Sequence, residues 1–142
     1  MNSSAPIPTD LWAFEGTWLL SREIVDGKGP DGRFEGEAEF VRDGGNLNYI
    51  ERGTLHLGTA SFQAERRYLW STLGPGEIAL HFDDGRFFHS FALNPKAHAT
   101  HNCPPDWYSV HYYFENWPVW SASWDVTGPR KSYRMNSRYR RP

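Results

Sequence analysis

Arg33-Phe34-Glu35-Gly36-Glu37-Ala38-Glu39-Phe40 sets apolar or small side chains at the even positions and three glutamates at the odd ones. A helix would scatter those glutamates around its axis, whereas an extended chain puts successive side chains on opposite faces. The segment is therefore a strand with one buried and one wet face. The same rhythm of two recurs at about 17–25, 33–42, 46–57, 61–72, 77–82, 86–93, 107–115, 119–126 and 132–140. Turn signals separate the runs, among them Asp26-Gly27-Lys28-Gly29-Pro30, Asp43-Gly44-Gly45-Asn46, Leu73-Gly74-Pro75-Gly76 and Asp84-Gly85. Gly and Asn tolerate the positive φ that hairpins require.

With 142 residues, the chain is expected to be one domain, with residues 1–13 as an N-terminal extension and 14–140 as the fold proper. Thr9 or Asp10 could cap a short helical turn over Leu11-Trp12-Ala13-Phe14. A run of strands with no crossover helix hides its edges best by closing on itself. The fold class expected is all-β: an antiparallel up-and-down barrel of about 8–9 strands. A β-sandwich is the rival.

No apolar run approaches the ~20 residues that cross a bilayer as a helix, and Met1-Asn2-Ser3-Ser4-Ala5-Pro6 lacks the pattern of a secretory leader. The single cysteine, Cys103, cannot form an internal disulfide and fits a reducing compartment, so a cytoplasmic location is expected. Net charge is −2, but Arg130, Lys131, Arg134, Arg138, Arg140 and Arg141 hold six of the fifteen basic residues, leaving residues 1–129 at −8. An acidic body of this kind would repel phosphate, so nucleic acid is not expected as a partner. A monomer or a homodimer is.

If Asp84-Gly85 forms a two-residue turn, Phe82 pairs with Phe87, and Ile78, Leu80 and Phe82 share a face with Phe87, His89 and Phe91. His89 then points inward, where an imidazole needs a partner. Residues 94–106 read as a proline-broken loop.

Glu15-Gly16-Thr17-Trp18 carries a Gly-x-Trp that resembles the opening of lipocalins and their calycin relatives, and Arg134 or Arg138 resembles the arginine those folds pack over that tryptophan. Phe14-Glu15-Gly16-Thr17-Trp18, Arg66-Arg67-Tyr68-Leu69-Trp70, Asp84-Gly85-Arg86-Phe87-Phe88-His89 and Thr127-Gly128-Pro129-Arg130-Lys131-Ser132-Tyr133-Arg134 look like segments of a small bacterial lipocalin-like family. The resemblance implies a lipocalin-like barrel, with Gly16, Trp18, Arg134 and Arg138 as structural residues, and no particular reaction. Leu19 and Leu20 after Gly-x-Trp depart from haem barrels of the nitrobindin type. Residues 26–32 offer only a turn where fatty-acid binders insert two helices.

The chemistry-bearing side chains are few. His89 and His101 are candidate acid/base groups, with Asp106 and Tyr108 beside His101, because an imidazole and a carboxylate are the parts such work requires. His98, His101 and Cys103 match no zinc signature. Arg22 and Arg66 alternate into the same face as aromatic rings, and a buried guanidinium must meet Glu51, another carboxylate or an acidic ligand. Trp18, Tyr68, Trp70, Phe87, Phe91, Tyr112, Trp120 and Trp124 complete the expected ligand-binding wall.

The function expected is binding of a small, mostly apolar or amphipathic molecule with a polar or acidic group, with no cofactor and no metal. The alternatives are a cofactor-independent isomerase, cyclase or hydrolase using His89 or His101, haem or metal binding through His89, His101 or His111, and an aromatic surface that meets another protein.

Overall fold

The computed structural model describes residues 6–142; the reading of residues 1–5 as part of an extension without a leader lies outside them. A single 3₁₀ turn, Leu11–Phe14, precedes ten strands: β1 Gly16–Asp26, β2 Gly32–Asp43, β3 Asn46–Leu57, β4 Ala60–Gly74, β5 Glu77–Phe82, β6 Phe87–Ala92, β7 Lys96–Cys103, β8 Asp106–Tyr113, β9 Trp120–Thr127 and β10 Ser132–Arg140. The sheet order β6-β5-β4-β3-β2-β1-β10-β9-β8-β7 is a meander in which β10 returns to pair with β1. All paired strands are antiparallel. The two edges, β6 and β7, lie against each other without a hydrogen-bonded ladder, so the barrel is nearly closed. Among the described residues no helix is long and apolar enough to cross a membrane.

The tenth strand corrects the reading of 94–106 as a loop. Pro95 stands just before β7, and Pro104-Pro105 forms the turn after it, with Cys103 opposite Asp106. A proline outside the ladder costs no hydrogen bond, so these prolines bound the strand. Between them Ala97 and Ala99 are buried while His98 and Thr100 are exposed, the alternation of a half-buried strand.

The β5–β6 hairpin also differs from expectation. Its loop is Asp83-Asp84-Gly85, closed by Gly85 N–H to the Phe82 carbonyl and Phe82 N–H to the Arg86 carbonyl. Gly85 takes φ +93°, the left-handed residue that ends a three-residue loop. A bulge then absorbs Phe88: Leu80 faces His89 as expected, but His81 faces Phe87. Phe88 and His89 are consecutive and both buried, and Phe87 turns outward, 53 % exposed. Phe87 is therefore not part of the inner wall.

The even positions of β1 and β2 and the odd positions of β3 point inward, burying Trp18, Leu20, Phe34, Ala38, Phe40, Leu47 and Tyr49. At the end where β1 begins, the 3₁₀ turn plugs the barrel. Phe14 is fully buried there, its ring 5.2–5.8 Å from those of Phe40, Trp70, Phe114, Trp117 and Trp120. Trp18 donates its indole N–H to the Phe14 carbonyl at 2.9 Å. Its cation is Arg141, 3.7 Å from the ring, which also donates to the carbonyls of Thr17, Ala13 and Glu15.

That corrects the assignment to Arg134 or Arg138. The β1–β10 register sets Arg138 against Ser21 and Arg134 against Val25, and carried one step past Leu19–Arg140 it brings Arg141 to Trp18. Arg134 instead pairs outside with Asp125 at 2.8 Å, and Arg138 is exposed. Gly16 takes φ +112°, and a Cβ there would stand 3.0 Å from the Arg141 guanidinium, so the glycine of Gly-x-Trp is required twice over.

Candidate functional site

Above this plug the inner wall surrounds a hollow of about 80 Å³. Trp70, Trp120, Tyr139 and Tyr112 line its inner end; Tyr68, Trp124, Ala122 and Met135 line its flank; Arg66, Phe88, Tyr108 and Tyr133 lie toward the mouth. Ala122 contributes the room that a larger residue would fill. The volume matches two or three waters at ~30 Å³ each and is about half that of a cavity that takes benzene.

Two arginines and one carboxylate belong to this lining. Arg22, 7 % exposed, grips Glu51 bidentately at 2.7 and 2.9 Å, donates to the Ser137 hydroxyl at 2.7 Å and lies 5.4 Å from the Phe34 ring. Tyr49 donates to Glu51 at 2.7 Å, and Tyr139 to Tyr49 at 2.8 Å. Burial alone would raise the Glu51 pKa, but the hydrogen bonds and charge of Arg22 outweigh it and hold the carboxylate below its usual range. Burial likewise pushes the Tyr139 hydroxyl up to about 12. The Arg22 guanidinium thus finds its anion inside the protein, and the sequence had named Glu51 as one possible partner. Tyr49 and Tyr139 were missed, although Tyr49, two residues before Glu51 on one strand, shares its face by period alone.

Arg66 is the other case. It stands directly across from Glu51 in the β3–β4 ladder, yet Glu51 is already taken by Arg22. Among the described residues Arg66 makes no ion pair and no side-chain hydrogen bond; it lines the hollow and is open to solvent at the mouth. The wall therefore carries one uncompensated positive charge.

His89 is 2 % exposed, behind the lining, its Nε2 2.8 Å from the Tyr112 hydroxyl. Burial drops its pKa to about 3, so the ring is neutral at ordinary pH. Its Nδ1 has no partner among the described residues, and neither do the indole nitrogens of Trp70 and Trp120. Phe91 packs beside it, stacked on Tyr112 at 4.2 Å, and belongs to the core rather than the lining.

At the mouth, β7 and β8 set His101 opposite Tyr108, ring centroids 6.0 Å apart. Asp106 does not join them: it pairs with Lys131 at 3.2 Å, across the turn that leads into β10. His98 points outward and stacks on His111 at 4.4 Å, the opposite face from His101, so alternation along β7 separates them. Among the described residues no three His, Cys, Asp or Glu side chains gather to hold a metal. Phe88 and Tyr133 were missed, the first because a bulge is invisible to a period of two.

A comparison with curated proteins gives no match. Among solved structures, the S-type phycobiliprotein lyase CPES from Guillardia theta is similar, with a TM-score of 0.61 and 5 % identity over 91 % of this chain and 87 % of the other. At that identity the likeness is one of fold alone, a calycin-like barrel as the Gly-x-Trp segment implied. The model of a family of unknown function, DUF6314, matches residues 14–141, Phe14 of the plug, all ten strands and Arg141 included, and the chain belongs to that family.

Proposed function

We propose that the barrel binds a small, largely apolar molecule that carries an acidic group, with Arg66 meeting that group at the mouth and the aromatic wall taking the apolar body. The carrying observation is the charge of the wall: two arginines against one carboxylate, with Arg22 satisfied and Arg66 free. An exposed cation at the rim of an aromatic hollow, with no ion-pair partner among the described residues, complements an anion. The 80 Å³ hollow is smaller than the 300 Å³ or so that houses a drug-sized ligand, so it accepts one end of the guest while the remainder lies between Tyr68, Tyr108 and Tyr133. The likeness to a phycobiliprotein lyase adds architecture only, and the reading rests on Arg66.

The test is titration with 8-anilinonaphthalene-1-sulfonate, an aromatic anion whose fluorescence reports burial. Saturable binding is expected, weakened by salt and about tenfold or more by Arg66→Ala, since a hydrogen bond to a charged group contributes about 1.5–3 kcal/mol. Arg66→Lys, which keeps the charge but not the fork, should recover part. Unchanged affinity in Arg66→Ala would overturn the proposal.

A further inference from the structure

The inner end of the hollow has a chemistry of its own. Trp70 and Trp120 are 3 % and 2 % exposed, both line the hollow, and neither indole N–H meets an acceptor among the described residues. The rings lie 6.2 Å apart, edge to face. Indole nitrogen is a donor only, and a buried donor left without an acceptor costs about 1–3 kcal/mol. The other polar groups nearby are committed: Tyr49 and Tyr139 to the Glu51 network, Tyr112 to His89. The inner end thus holds two donors that meet no acceptor among the described residues, and the hollow is the unfilled space against both rings.

Resting on the reading of Arg66 as the acid-binding group, we infer that the buried end of the guest bears a neutral hydrogen-bond acceptor, a carbonyl oxygen or its equivalent, which takes the indole N–H groups of Trp70 and Trp120. Trp70 is four residues from Arg66 on β4, about 13 Å along the strand. The long Arg66 side chain spans part of that distance, so acid and acceptor sit at opposite ends of a compact guest. An oxo-substituted aromatic acid has this layout, and a plain fatty acid lacks the inner acceptor. A hydrocarbon end would leave both indole donors unpaired.

The experiment compares two probes of the same charge and nearly the same shape, 4-acetylbenzoate and 4-isopropylbenzoate, by calorimetry and by ¹H–¹⁵N spectra of the indole groups. The expected result is at least fivefold tighter binding of 4-acetylbenzoate, with downfield shifts of the Trp70 and Trp120 indole protons only for that probe. Trp70→Phe and Trp120→Phe each assign one resonance and should shrink the affinity ratio toward one. The ratio is internal to each variant, and the wild-type spectra serve if a variant does not fold. Equal, Arg66-dependent binding of both probes, the result if water alone fills the inner end, would sink this inference and leave the proposed function standing. Failure of both probes to bind would sink the two together.

Discussion

The two ends of the barrel use arginine in opposite ways. At the closed end Arg141 lies on the Trp18 ring and donates to three carbonyls, and deeper in the wall Arg22 is held by Glu51 and Ser137, so each cation is used up by the protein itself. At the mouth Arg66 faces the same hollow with nothing to hold. A guanidinium enclosed without an anion would be prohibitive in the core, but at a solvent-open rim it costs little. Position along the strand therefore decides whether an inward arginine is a structural clasp or a recognition element.

The contrast is tested most severely at Glu51. Glu51→Ala leaves Arg22 buried without its anion and should cost about 3–5 kcal/mol in denaturant unfolding. Arg22→Met with Glu51→Leu, which removes both charges, should cost far less. If Glu51→Ala is nearly neutral, the closed half is not the self-satisfied network described above.

Acid comes next. The folded pKa of His89 is depressed to about 3 from 6.5, so the unfolded chain binds the proton more readily. His89 thus contributes stability that is complete above about pH 6.5 and is lost as pH falls toward 3. Between pH 6.5 and 4.5 unfolding curves should show a loss of about 2 kcal/mol from this group. His89→Leu should flatten that slope; a slope that persists would mean that the imidazole is solvated when folded.

Smaller again is Arg141→Ala, expected to lower stability by about 1–3 kcal/mol through loss of the cation–π contact and the carbonyl bonds. Smallest is Arg66→Ala, which should stay within about 0.5 kcal/mol of wild type because the side chain is exposed and unpaired. Its effect on anion affinity should nevertheless exceed that of Arg141→Ala at least tenfold. Comparable losses of binding in the two variants would erase the distinction between clasp and recognition element.

How much of this was legible beforehand depends on what each feature requires. Period two marks a strand wherever the alternation is unbroken, as from Glu35 to Phe40, and it placed Arg22, Tyr68, Trp70, Trp120 and Trp124 on the inner wall. It failed at β7, where prolines that bound a strand look like prolines that break one. It failed also at Phe87, where one bulged residue turned the ring outward.

The chain's alternation and its glycines settle by themselves that the fold is antiparallel and all-β and which side chains face inward wherever the alternation is unbroken, because side-chain direction in a strand is a local property of the backbone; closure into a barrel rather than a sandwich comes from the β1–β10 pairing. Only the closed tertiary structure decides who meets whom. Arg141 rather than Arg134 covers Trp18 because the β1–β10 register says so, Asp106 turns to Lys131 rather than His101 because the β8 and β10 turns meet, and Arg66 is left without an ion pair because Arg22 holds both oxygens of Glu51. Such pairings join residues up to 128 positions apart in the chain, and no local pattern encodes them.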